Sequence, residues 1–261
     1  PIQNEFFKGW TAPDKSGTYG GTMSLAPVLF ITIACGACSG FHAMVASGTT
    51  AKQLKCERDA RRVGFGAMLV EGLVAVIALL IVAMLPAGAP QTGQPPLAIY
   101  GYGMAQFLGR FGVPETLGAS FGILALSTFI LTTLDTATRL GRYVLEEFFG
   151  TSGLASRLLA TAATLALPDL LVLVTLKDAA GNPIPAYQAV WPVFGATNQM
   201  LAGLALLVVL VWMKRAGRPA LFLAAPLLFM LVMTIWALVI LIGQYRLSLI
   251  GIIALLLLAL A

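Results

Sequence analysis

Runs of apolar residues, each long enough to cross a lipid bilayer, constrain this sequence more than any other feature. A helix needs about 20 predominantly apolar residues to span the hydrocarbon core, and several stretches of that length follow one another after residue 62. Hydrophobic residues make up 59% of the 261 residues and charged residues 10%, which lies outside the range of soluble domains. The sequence therefore predicts an all-α integral membrane protein.

Two regions are predicted, an extramembrane lead-in at residues 1–21 and a transmembrane helical domain at 22–261. The second region contains about seven spans, at 22–46, 63–85, 118–149, 157–176, 187–213, 219–242 and 247–261. The segment 97–114 is apolar but short and interrupted by glycines, which favours an interfacial or re-entrant element. Because proline lacks the N–H that a helix needs, Pro168 is expected to interrupt the fourth span, and Pro192 with Gly195 the fifth.

The distribution of basic residues predicts the orientation of these spans. Most of the 16 Lys and Arg residues lie in the segments 49–62, 139–157 and 214–218. The positive-inside rule makes these loops cytoplasmic, which leaves the N-terminus of the chain on the outer side. Since the basic residues are scattered between apolar spans, membrane topology explains the net charge of +5 better than nucleic-acid binding does.

The stretch 33–53 differs from a plain membrane span because glycine, cysteine and hydroxyl residues crowd around the single histidine, His42. Glycine in a helix interior costs about 1 kcal/mol relative to alanine, so the cluster indicates backbone that is broken, closely approached or bound to something. In a helix, Cys35, Cys38 and His42 would share one face, which allows a metal site. No fourth ligand is nearby, and we predict no metal, because close helix packing or a neutral histidine that packs or faces a pore explains the pattern.

A second candidate site lies on the third span. Thr128, Thr132, Asp135 and Arg139 recur with a spacing that places them on one helical face. A carboxylate beside hydroxyl groups suits a sodium ion or a proton. An i, i+4 ion pair between Asp135 and Arg139, serving only as an anchor near the inner interface, fits the same spacing.

Two further polar groups lie inside predicted spans, where such groups are costly. Glu71, in the second span, would carry a proton if its carboxylate is buried alone, or pair with another part of the protein. Asn198 and Gln199, in the fifth span, offer amide groups to a ligand or to hydrogen bonds between helices.

Four stretches resemble the carbon starvation protein A (CstA) family of bacterial inner-membrane transporters. They are SGFHAMVASGTTAKQL (39–54), GFGAMLVEGLVAVIAL (64–79), FILTTLDTATRLGRYVLEE (129–147) and WPVFGATNQMLAGLALL (191–207). The resemblance covers nearly the whole chain but only the later part of a family member. It implies a missing N-terminal half and a multi-pass protein of the inner membrane, with a periplasmic start to this chain.

Members of this family are similar to LeuT-like transporters, which have two inverted repeats of five helices. The resemblance implies that 33–48 belongs to the broken first helix of the second repeat, that 97–114 forms an outer lid, and that the TTLD segment supplies a coupling-ion site. The residues predicted to bind substrate are Ser39, Gly40, His42, Ser47 and Gly48 of the stretch 33–53, with Asn198 from the fifth span. Those predicted to couple an ion are Thr132, Thr133 and Asp135 of the TTLD segment, with Glu71 from the second span.

We therefore expect a secondary transporter of peptides or pyruvate-like carboxylates, with a Na⁺ or H⁺ as coupling ion and no other cofactor. The alternative is a truncated, transporter-derived subunit that packs against partner proteins in a membrane complex. An enzyme is not expected, because one histidine and no nucleophile–base pair give little to build a catalytic site on.

Overall fold

The structure is a computed structural model that describes residues 2, 7, 9–13, 22–32, 36, 38–86, 89–177, 183–245 and 249–260. These residues are mostly helical and include two pairs of short antiparallel strands. The helices are α1 (Leu25–Thr32), α2 (Gly40–Val45), α3 (Ala51–Gln53), α4 (Glu57–Ala60), α5 (Ala67–Met84), α6 (Pro96–Gly109), α7 (Glu115–Phe149), α8 (Leu154–Leu173), α9 (Ala186–Arg215), α10 (Leu221–Tyr245) and α11 (Leu249–Leu260).

Shorter elements connect or flank these helices. π-helical turns at Ala46–Thr50 and Arg61–Gly66 make α2 continuous with α3 and α4 continuous with α5, and a 3₁₀ turn lies at Pro90–Gly93. The strands β1 (Thr11–Pro13) and β2 (Thr22–Ser24) pair antiparallel, as do β3 (Thr175–Lys177) and β4 (Pro183–Pro185). The sequence did not predict these strands, and β2 occupies the first three residues of the expected first span.

Within the described residues, five helices are long and apolar enough to cross a membrane. They are Glu57–Met84, Glu115–Phe149, Leu154–Leu173, Ala189–Arg215 and Leu221–Gly243, which correspond to the second to sixth predicted spans. The predicted first span instead contains α1 and α2, and α11 in the seventh has 12 residues, fewer than the roughly 20 that a crossing requires.

Two predicted helix interruptions are wrong. Helix α8 continues through Pro168, and α9 continues through Pro192 and Gly195. Proline removes one backbone hydrogen bond, which a packed apolar helix can tolerate. Gly195 serves close packing, because a Cβ placed on it would collide with the backbone carbonyl oxygen of Ile31 in α1.

The chain forms two compact units. The first contains Thr49–Arg139, where α6 packs through its glycines against neighbours on both sides. A Cβ on Gly103 would lie 2.8 Å from the Ile81 Cβ in α5, and one on Gly118 in α7 would lie 2.8 Å from the Ala105 Cα in α6. Small residues thus allow close approach of these helices.

The second unit contains Lys8–Gly48 and Leu140–Ala261. Its apolar core joins α1, α9, α10 and α11 through Ile31, Ala196, Ala237, Leu238, Leu241 and Ala254. Because α9 and α10 are joined by only the residues 216–220, the two long helices run antiparallel and side by side.

Candidate functional site

The first turn of α2 is docked directly on the backbone of α9. A Cβ on Gly40 would lie 2.6 Å from the Asn198 carbonyl oxygen and 2.8 Å from the Ala202 backbone nitrogen, and it would collide with the Leu201 Cβ. Since two of these atoms belong to the backbone, only glycine permits this approach. The glycine cluster seen in the sequence therefore contains at least one position of close helix contact.

Asn198 fixes the start of α2 by capping it from the side. The Phe41 backbone N–H donates to Asn198 Oδ1 at 2.8 Å, and the Ser39 hydroxyl donates to the same oxygen at 3.2 Å. Ser39, with an extended backbone, is also the N-cap residue and accepts a hydrogen bond from the His42 N–H. Two of the N–H groups that every helix leaves unpaired at its start are thus satisfied.

The other residues predicted to bind substrate lie further along the same helical segment. The imidazole of His42 is exposed and its ring meets the Phe41 ring edge-on, with the centroids 5.8 Å apart. The Ser47 hydroxyl is exposed and donates to backbone carbonyl oxygens within its own helix. A Cβ on Gly48 would lie 2.9 Å from Leu140 Cδ1, so this glycine serves helix packing. The structure therefore brings together Ser39, Gly40 and Asn198.

Next to Asn198, a fully buried amide has no hydrogen-bond partner among the described residues. Gln199 is 0% exposed, and neither its Oε1 nor its Nε2 has a partner. The hydroxyl of Thr234 in α10 is also buried without a hydrogen-bond partner among the described residues, and the residue is 1% exposed. A buried polar group without a partner costs about 1 to 3 kcal/mol, so burying these two side chains destabilises the unit.

The sequence pattern indicated Gln199, together with Asn198, as an amide for a ligand or for hydrogen bonds between helices, and it did not indicate Thr234. The available signal for Thr234 was a single hydroxyl residue in the otherwise apolar stretch FLAAPLLFMLVMTIWALVILI. Polar residues inside membrane helices are functional candidates by default.

Helices α1 and α2 both contact α9 beside these polar groups. Helix α1 reaches α9 where the Ile31 carbonyl meets Gly195, and α2 begins where Ser39 and Phe41 bond to Asn198. Both contacts fall within about one helical turn of Gln199. Interrupted helices at membrane depth are typical of substrate and ion sites in transporters.

The predicted ion-coupling face of α7 lies in the first unit, and its polar groups are satisfied locally. Arg139 Nη2 lies 3.0 Å from Asp135 Oδ2, and Arg139 Nε donates to Asp135 Oδ1 at 3.1 Å. The hydroxyls of Thr132 and Thr133 both donate to the Phe129 carbonyl oxygen. The i, i+4 ion pair that the spacing allowed is therefore present.

Glu71, in α5 of the first unit, is partly exposed and forms no hydrogen bond or ion pair with the described residues. It lies among apolar neighbours in the sequence of a helix long enough to span a membrane. The structure does not pair it with the TTLD segment.

The predicted cysteine–histidine face lies partly outside the described residues, because Cys35 is one of those left out. Cys38 is partly buried and directly precedes Ser39. In the described part of the chain, no three His, Cys, Asp or Glu side chains are close enough together to hold a metal ion.

Comparisons with known proteins identify relatives that cover most of this chain. The family model for carbon starvation protein CstA matches residues 10–101 and 90–237. The pyruvate/proton symporter BtsT of Escherichia coli is 32% identical over 295 residues, covering 82% of this chain and 40% of the relative. The peptide transporter CstA of the same organism is 32% identical over 280 residues, covering 83% of this chain and 39% of the relative.

A third relative, the peptide transporter CstA of Mycobacterium tuberculosis, is 34% identical over 264 residues, covering 75% of this chain and 33% of the relative. The chain thus spans at most about 40% of the length of these curated relatives. No solved structure matches it significantly.

Proposed function

The chain belongs to the carbon starvation protein CstA family, and from this we propose that it forms part of a secondary transporter. The transporter takes up a peptide or a pyruvate-like carboxylate, together with a coupling ion. Relatives bearing the names of both a peptide transporter and a pyruvate/proton symporter support this range of substrates. The N-terminal half of the transporter is supplied by sequence outside this chain.

The observation that carries the proposal is the junction of α1 and α2 on α9. A helix break, a capping carboxamide and a fully buried, unpartnered amide lie within about one turn of α9, close to its midpoint. A helix that served only to span the membrane would gain nothing from such groups. In the proposed mechanism, this junction lines the substrate site, with Ser39, Gly40, Ser47 and Gly48 shaping it and the exposed His42 contacting a substrate carboxylate or a proton.

The coupling ion is proposed to act at Thr132, Thr133, Asp135 and Glu71. Carboxylates at membrane depth are typical of proton relays, and one relative is named a proton symporter. In this proposal the Asp135 carboxylate releases Arg139 when it binds the coupling ion. Glu71, without a partner among the described residues, is the second carboxylate that takes part in ion coupling.

The architecture proposed is the second inverted repeat of a LeuT-like transporter in a bacterial inner membrane. Here α1 and α2 form the broken first helix, and α6 with its neighbouring connections forms the outer lid. The basic segments 49–62, 139–157 and 214–218 face the cytoplasm and the start of the chain faces the periplasm, as the positive-inside rule favours.

Uptake by the complete native protein in proteoliposomes tests the proposal. Labelled pyruvate and labelled dialanine are offered under an inward proton or sodium gradient. We expect uptake of at least one substrate to depend on one gradient, and His42→Ala and Asp135→Asn to reduce it. Asp169→Asn, which alters an exposed carboxylate in α8, is the matched control. Unchanged uptake in both test variants would refute the site assignment.

A further inference from the structure

We propose that Gln199 and Thr234 form a buried binding site for an amide group, which in a transported substrate is the peptide bond of a short peptide. The inference rests on the proposed transport function and assigns two residues to substrate recognition. It also favours a peptide over a 2-keto acid as the ligand of this site.

The two residues lie at the same level of the α9–α10 pair. Gln199 is the fourteenth residue of the 30-residue α9, and Thr234 is the fourteenth of the 25-residue α10. On one side of this level, Ala196 of α9 belongs to the same buried apolar cluster as Ala237 and Leu238 of α10. On the other side, a Cβ on Gly203 would lie 3.5 Å from Leu231 Cδ2. Gln199 and Thr234 fall between these two contacts, on the buried faces of both helices.

Despite this shared level, the two side chains do not satisfy each other. Gln199 Oε1, Gln199 Nε2 and Thr234 Oγ1 all have no hydrogen-bond partner among the described residues, and both residues are almost completely buried. Both lie near the middle of helices that are long enough to span a membrane, the depth at which transporter substrates bind. Three polar atoms at one level of the helix pair therefore lack hydrogen-bond partners, and a bound ligand would supply them.

The chemistry of these atoms selects the class of ligand. The carboxamide of Gln199 presents N–H donors and an acceptor oxygen, and the hydroxyl of Thr234 can do either. A peptide bond offers one carbonyl oxygen and one N–H, so it can satisfy both ends of the carboxamide. A cation would leave Nε2 unpaired, and the keto and carboxylate oxygens of pyruvate would leave Oε1 unpaired.

The pair lies beside the junction of α1 and α2 on α9, which is the proposed substrate site. Ile31 of α1 contacts α9 four residues before Gln199, and Asn198 directly precedes it while holding Ser39 and Phe41. The oxygen of Asn198 is already used in capping α2, whereas the amide of Gln199 has no such role. The two adjacent amides therefore have different roles: Asn198 caps α2, and Gln199 binds the ligand.

The test compares dialanine with its ester analogue alanyl-lactate, which lacks the peptide N–H, as ligands of the complete native protein. We measure KM for uptake into proteoliposomes and the rise in Tm of the detergent-solubilised protein with either compound. We expect the wild type to prefer dialanine by about tenfold or more, since a site built to bond an N–H discriminates against analogues without it. Gln199→Leu should abolish the preference, and Thr234→Val should weaken dialanine binding about threefold or more.

Thr197→Val is the matched control, because the Thr197 hydroxyl already donates to the Val193 carbonyl oxygen at 2.8 Å in the same helix. Its KM for dialanine should stay within about twofold of the wild type. Equal preference for the two compounds in the wild type, or an unchanged preference in Gln199→Leu, would show that the pair holds a structural water only and would overturn the inference.

The outcomes separate this inference from the transport proposal. Uptake of pyruvate without uptake or binding of dialanine would overturn the amide site and leave transport intact. Stabilisation by dialanine that is lost in Gln199→Leu, without uptake of either compound, would support the site and contradict transport.

Discussion

The threonine hydroxyls and the Asp135–Arg139 pair of α7 have an environment opposite to that of Gln199 and Thr234 in the α9–α10 pair. On α7, the hydroxyls of Thr128, Thr132, Thr133, Thr136 and Thr138 each donate to a carbonyl of their own helix. Asp135 and Arg139 pair with each other although their side chains are 59% and 51% exposed. In α9 and α10, Gln199 and Thr234 are buried and unpartnered.

The difference shows which polar groups depend on tertiary structure. A hydroxyl that bonds within its helix is satisfied as soon as the helix forms, so these five α7 threonines need no other element to satisfy their hydroxyls. The α9–α10 pair loses stability by burying groups that only a ligand or another molecule can satisfy. Function is expected where such a cost persists.

The largest effect is expected at the contact that holds α2 on α9. Gly40→Ala should strongly destabilise the second unit, because the added Cβ meets backbone atoms that cannot move aside. We expect a loss of about 1 to 3 kcal/mol or more, measured as a lower Tm of the complete native protein in detergent. Gly72→Ala in α5, with open space around it, is the control and should leave Tm unchanged or raise it.

A smaller loss is expected from removing the carboxamide that caps α2. Asn198→Ala would leave the Phe41 N–H without its acceptor and should cost about 1 to 2 kcal/mol. Asn198→Asp keeps an acceptor oxygen at the same place and should retain more of the helix. Comparison of the two melting temperatures, with hydrogen exchange of the Phe41 amide, gives the measurement. Equal losses in both variants would contradict the capping role.

An effect of opposite sign is expected one residue further on. Gln199→Leu replaces an unsatisfied buried amide by an apolar group of similar size and should raise the free energy of unfolding by about 1 kcal/mol or more. The same variant is expected to lose its preference for a peptide over an ester. A lower Tm in the absence of ligand would show that the amide has a structural partner.

The smallest effects are expected on α7. Asp135→Asn should change the stability by less than about 1 kcal/mol, since exposed ion pairs contribute little. Thr133→Val should have almost no effect on Tm, because the lost bond is internal to the helix. If Asp135→Asn abolishes ion-dependent uptake while Tm stays constant, the carboxylate acts in coupling. A large drop in Tm would instead mean that α7 depends on tertiary contacts there.

The sequence predicted correctly those features that a single helix determines. The lengths of the apolar runs identified α5, α7, α8, α9 and α10 as candidate spans, and the spacing of Asp135 and Arg139 allowed their ion pair as one of two alternatives. The resemblance of four stretches to the CstA family is confirmed by the family model and by the relatives.

Features that depend on contacts between helices could not be predicted from the sequence. The glycines around His42 indicated close approach or a break, but only the position of α9 shows that Gly40 is the point of contact. Pro192 and Gly195 suggested an interruption, whereas packing keeps α9 continuous. The missing partners of Gln199 and Thr234 are likewise a property of two helices that face each other.

The close packing of α6 has a mechanical consequence for the first unit. Gly103 admits the Ile81 side chain of α5 on one side of α6, and the Ala105 backbone meets Gly118 of α7 on the other. Side chains normally absorb small displacements by changing rotamer, but glycine has no side chain and the β-branched Ile81 has few alternative rotamers. A shift of α5 relative to α6 is therefore expected to shift the first turns of α7 as well, because few side-chain rearrangements at these contacts can compensate for it.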